Sequence, residues 1–90
     1  MMVPTIHLNG TGKAGLLEGY LNVLAALRDA EAALCKAGPN GRDYYPQGAG
    51  AIYRAQDEHR ARLVKLDEIK TEIEALALAV DEGGHKGGAK

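Results

Sequence analysis

Apolar residues recur at steps of three and four along two long stretches of the chain, and a Pro/Gly/Tyr-rich segment parts them. The first stretch aligns Leu16, Tyr20, Val23, Leu27, Ala30 and Leu34 on one helical face. The second aligns Ile52, Ala55, His59, Leu63, Leu66, Ile69, Ile73, Leu76 and Val80. The pattern predicts an all-α fold: an antiparallel two-helix hairpin with an extended N-terminal arm and a Gly-rich C-terminal tail. Two helices cannot cover each other fully, so such a chain is built to pack against something else.

Local signals set the boundaries. Residues 1–10 read as an extended arm, because Val3, Ile6 and Leu8 favour extended backbone and Pro4 forbids a helix through that point. With no second strand pattern in the chain, the arm is expected to lie along the helices or to pair with another protein. Thr11 is a good N-cap for a helix over about 12–37. Gly38-Pro39 should end that helix, with Gly38 as a left-handed cap. A hinge follows over 38–48, in which Asn40-Gly41 signals a tight turn and Pro46 should hold Tyr45 extended. Tyr44 and Tyr45 are expected to fold back over the end of the hairpin, to form an exposed recognition tip, or both. The second helix is expected over about 49–82, and the glycine-rich stretch 83–90 reads as a flexible tail.

Composition narrows the function classes. The 90 residues suffice for one domain. Trp and Phe are absent and 46% of residues are hydrophobic, so the core must be Leu, Ile, Val and Ala, typical of close helix packing. The net charge of −1 gives no basic footprint and argues against direct nucleic-acid binding. Acidic residues outnumber basic ones along the second helix, which reads as a solvated face. Cys35 is the single cysteine, so no disulfide can form within the chain. The N-terminus lacks a basic segment followed by an apolar run, so no signal peptide is expected. The longest apolar stretch, 75–80, is too short to span a bilayer, and no membrane association is expected.

Several motifs tempt a chemical reading and fail on context. Gly10-Thr-Gly-Lys-Ala-Gly15 matches the dinucleotide pattern G-x-G-x-x-G. That pattern needs a parallel strand after the helix, and here the chain enters GPNGRDYYPQG instead. His7, His59 and His85 are far apart in sequence, and no ligand partner sits three or four residues from His59. His59 falls on the apolar stripe and reads as a seam histidine with a hydrogen-bond partner. Serine is absent from the chain, and Cys35 has no nearby base in sequence. No catalytic residue, metal ligand or cofactor is therefore expected, and the chain reads as a protein that is not an enzyme.

The segments HLNGT, LLEGYLNVLAALRDAEAAL, GPNGRDYYPQG and EHRARLVKLDEIKTEIEALALAV together resemble a small-protein family of tailed bacteriophages and prophages. Its members occur mostly in short-tailed phages, near the genes for the head and portal. The resemblance spans about residues 6–80, and the element from Asn40 to Gly48 is its most specific part. Gly12, Ala14 and Gly15 depart from the polar residues that relatives carry after the capping Thr. The family supplies a setting and no mechanism.

The resemblance implies a virion structural protein, made in the host bacterial cytoplasm. The reading it favours is a head–tail connector or adaptor subunit packing on a portal or tail ring, with its own copies and other virion proteins as partners and a homo-oligomeric ring as the assembly. An assembly factor (scaffold or chaperone) and a small DNA-packaging or regulatory protein are the rival readings. The expected helix–helix seam is Leu16, Tyr20, Val23, Leu27 and Leu34 against Ile52, His59, Leu63, Leu66, Ile69, Ile73, Leu76 and Val80. The expected partner contacts are Ile6, Leu8, Leu17, Leu21, Leu24, Arg42, Tyr44 and Tyr45.

Overall fold

The computed structural model describes residues 1–85. It is predominantly helical, with no strand among the described residues. Helix α1 spans Lys13–Lys36, a one-turn helix α2 spans Gly41–Tyr44, and helix α3 spans Ala51–Asp81. A short 3₁₀ turn, Tyr45–Gln47, joins α2 to the approach of α3. The two long helices pack side by side as a helical hairpin-like unit. Their cross-links run in opposite order: Lys13 to Asp81, Glu31 to Lys70, and Gly38 against His59. The result is a rod of 64 × 22 × 17 Å with a radius of gyration of 19.4 Å. A compact chain of this length would have about 12 Å.

Inward residues repeat at alternating steps of three and four. On α1 they are Leu17, Tyr20, Leu24, Leu27, Glu31 and Leu34; on α3 the row includes His59, Leu63, Leu66, Lys70, Ile73, Ala77 and Val80. That is the seven-residue repeat of a coiled-coil seam, in which a strict period of 3.5 keeps one stripe facing the partner helix. The core is thin. Only Leu24, Ala55 and Val80 are buried apolar residues among those described, and Val80 alone has no exposure at all.

The helix ends differ from the sequence expectation in instructive ways. Gly12, with φ of 89°, is the N-cap of α1, and no side chain caps that end. Thr11 lies one residue too early, because the left-handed turn at Gly12 displaces the first helical residue to Lys13. Gly38 does not take the left-handed conformation expected of it. Instead Ala37 closes α1, its N–H donating to the carbonyls of Ala33 and Leu34. The expected hinge loop is partly helical. Asn40 Oδ1 accepts a 3.0 Å hydrogen bond from the Arg42 N–H and caps α2, which is an N-cap role and not a hairpin turn. Tyr45 is helical, at φ −59° and ψ −29°, and not extended. The preference before proline is a bias, and here the 3₁₀ turn overrides it.

The far end of α3 fixes the arm. Gly84 N–H donates to Ala79 O at 2.8 Å and Gly83 N–H to Val80 O at 3.0 Å, with both glycines at positive φ. This pair of bonds is the Schellman arrangement. It turns the chain back toward the N-terminus, where Thr5 forms an isolated antiparallel bridge with Gly84 and His85 N–H donates to Pro4 O at 2.8 Å. The arm therefore closes on its own chain. Gly83, Gly84 and His85, expected to belong to the flexible tail, are held in this turn, and the rest of that expected tail, 86–90, lies outside the described residues.

Candidate functional site

Two surfaces stand out: the hinge end of the rod and one flank of its seam. At the hinge end, Tyr44 is half-buried between two hollows. The larger, an open groove of about 580 Å³, is lined by Tyr44, Gln47, Arg54, Ala55 and Glu58 among others. The smaller, of about 150 Å³, runs from Pro39 past Tyr44 to His59 and Arg62. Glu58 borders both, and its carboxylate lies 3.9 Å from Arg54 on one side and 3.9 Å from Arg62 on the other. These are loose, solvated pairs whose net attraction is small. The groove offers two guanidinium groups, a carboxylate and a phenol to an incoming surface, without a nucleophile–base pair.

His59 packs at the same end. Its Nε2 would lie 3.4 Å from a Cβ placed on Gly38, so glycine there lets the end of α1 approach the imidazole. The hydrogen-bond partner expected of His59 is not found: its side chain makes no hydrogen bond within the described residues. Among the described residues no three His, Cys, Asp or Glu side chains gather where a metal ion could be held. Among the described residues no helix is long and apolar enough to cross a membrane. The Gly10–Gly15 segment leads into α1, and Lys13 pairs with Asp81 at 3.9 Å.

The seam is rotated from the expected one. Leu16, Tyr20, Leu27 and Leu34 are half-buried, as are Ile52, His59, Leu63, Leu66, Ile73 and Leu76, and Val80 is buried. Val23 and Ile69, expected in the seam, are 41% and 50% exposed. Leu24, expected as a partner contact, is 4% exposed and lies at the centre of the α1 face. Leu17 likewise turns inward, and Ile6 is half-buried with its side chain at Gly84. The cause is the choice of stripe. Leucines at 16, 17, 21, 24 and 27 fit two overlapping helical rows. Both rows keep the seven-residue repeat, and the one through Leu17, Leu24 and Glu31 takes the seam.

The remaining expected contacts stand at the surface: Leu8 at 98% exposure, Leu21, Arg42 and Tyr45. Tyr44 is the exception, half-buried against the start of α3. Sequence reasoning missed the part-buried Glu31–Lys70 pair and the docking of the arm at Gly84. The first follows only once the row through Leu17, Leu24 and Glu31 is known to take the seam. Comparison with known proteins finds no matching family model, no similar curated protein and no similar solved structure.

Proposed function

We propose that this chain is a structural subunit of a phage virion, a small head–tail connector or adaptor that packs on a portal or tail ring. The unit that assembles is the antiparallel two-helix hairpin with its N-terminal arm. The observation that carries the reading is the imbalance between apolar surface and burial. Among the described residues of this 64 Å rod only three apolar side chains are buried, while Leu21, Val23, Val64, Ile69 and Leu78 stand in water. Such a rod gains stability by lying against neighbours, as subunits of a ring do. The phage setting comes from the sequence resemblance, and the Asn40–Gly48 element stands at the exposed end of the rod.

In this role the chain performs no reaction and holds no cofactor, and its partners are further copies and other virion proteins. Mass spectrometry of purified particles tests the reading. A fixed ring-like copy number per particle is expected. Presence during assembly but absence from mature particles would replace the connector with a scaffold or chaperone. Salt-dependent DNA affinity of the isolated chain would favour the packaging role instead.

A further inference from the structure

Beside the seam runs a second apolar row. On α1 it is Leu16, Val23 and Ala30, each seven residues after the last; on α3 it is Ile69 and Leu76, with Arg62 one repeat earlier. Because the helices run in opposite directions, both rows fall on the same side of the pair. The Glu31–Lys70 bridge sets the register and brings Ala30 level with Ile69. The other side differs in kind, since the equivalent row of α3 is Arg60, Asp67, Glu74 and Asp81. A helix that is apolar along its seam and along one adjoining row has the pattern of a larger bundle, not of a lone pair.

We infer that this flank is the docking surface for a second copy of the chain, packed face to face about a two-fold axis near Ile69 to give a four-helix bundle. Three features select a second copy over other occupants. First, the charges bordering the row are self-complementary. Lys65 and Glu72 stand at equal steps on either side of the midpoint between Glu68 and Ile69, so a two-fold there sets Lys65 of each copy opposite Glu72 of the other. Second, the α1 row narrows to Ala30 at the level of the axis, which lets the two α1 helices approach closely. Third, the size fits. About this axis the α3 helices overlap over 56–81, about 39 Å, and the α1 helices over 24–36, about 20 Å; at roughly 10 Å of width per helix the pairing buries about 1,200 Å² over both copies, at the lower end of stable specific interfaces. The pairing does not depend on the virion role.

The test uses the full chain. Sedimentation at roughly 50 µM should give a dimer. Lys65→Glu should raise the dissociation constant roughly tenfold, because two attractive contacts become repulsive. Adding Glu72→Lys to it should restore most of the affinity, with helicity unchanged throughout. In a Cys35→Ser background, Ile69→Cys should oxidise to a single covalent dimer, whereas Leu21→Cys should remain monomeric. A wild-type monomer at that concentration overturns the inference. So does a Lys65→Glu defect that the second substitution fails to rescue, or cross-linking through position 21 in preference to 69. Absence from virions would end the connector reading and leave each of these results unaffected.

Discussion

Lys70 Nζ lies 3.3 Å from the Glu31 carboxylate, across the seam between the long helices, at positions where the repeat otherwise places apolar side chains. Lys70 also reaches Asp67, at 3.7 Å, so its charge has a second partner on its own helix. Both members of the cross-helix pair are partly shielded from water, with Lys70 the more so. A charged pair in a seam stabilises less than leucines would, yet it fits only one alignment of the helices.

Replacing the pair should therefore exchange register for stability. Glu31→Leu with Lys70→Leu is expected to raise the unfolding free energy by about 1–2 kcal/mol. Glu31→Ala alone should lower it by about 1 kcal/mol or less, because Lys70 keeps Asp67. Thermal melting followed by circular dichroism reads both. A double-leucine variant that melts below the wild type would mean the bridge is a net source of stability.

Gly84 carries two constraints at once. Its φ of 73° is a left-handed conformation, and a Cβ there would come within 2.7 Å of Pro4 O. Gly84→Ala should cost roughly 1–3 kcal/mol at the end of α3 and detach the arm. The expected result is faster proteolysis between Met1 and Gly12 with little loss of helicity. Gly50→Ala is the control, since nothing lies within 4 Å of a Cβ there and its φ is negative. Equal protection of the arm in Gly84→Ala and wild type would show that the bridge to Thr5 does not hold it.

Much of the architecture was legible because long apolar periodicity and Gly/Pro punctuation are strong signals. Two helices, their approximate limits and the break between them follow from those alone. The rotation of α1 was not legible from apolar content, since two rows of similar hydrophobicity compete there. The row through Leu17, Leu24 and Glu31 takes the seam although Glu31 counts against it on hydrophobicity, and the row through Leu16, Val23 and Ala30 keeps the same seven-residue spacing. The arm's return to Gly84 joins residues nearly the full chain length apart, and local propensity does not encode such a contact. At the hinge, Asn40 served as a cap to a single helical turn, a role its sequence shares with the tight turn expected there.

The rotated seam makes neighbouring residues behave differently. Leu24→Ala should destabilise the fold by about 2–3 kcal/mol, near the lower end for buried leucines because a thin rod relaxes around the gap. Val23→Ala, one position along, should cost well under 1 kcal/mol in folding and show its effect in self-association. Denaturant melts at low concentration separate the two. Equal losses from both would place Val23 back in the seam.

At the hinge, Tyr44 and Tyr45 are adjacent in sequence but belong to different surfaces. Tyr44 is half-buried beside Ala55, one of the three buried residues among those described, and lies between the two hollows. Tyr45 is 75% exposed, on the 3₁₀ turn with Pro46. Tyr44→Ala should open the end of the rod and lower its stability by about 1–2 kcal/mol, less than a full aromatic truncation because the ring is only half covered. Tyr45→Ala and Arg42→Ala should leave melting within about 0.5 kcal/mol of wild type. If the hinge is the contact with the rest of the particle, those two variants should instead lose incorporation into virions. Melting and particle incorporation measured on all three variants decide the assignment. Tyr45→Ala unfolding as readily as Tyr44→Ala would merge the two surfaces into one. Full incorporation of Tyr45→Ala and Arg42→Ala would move the contact away from the hinge, leaving the flank through Val23 and Ile69 as the surface that joins the chain to its neighbours.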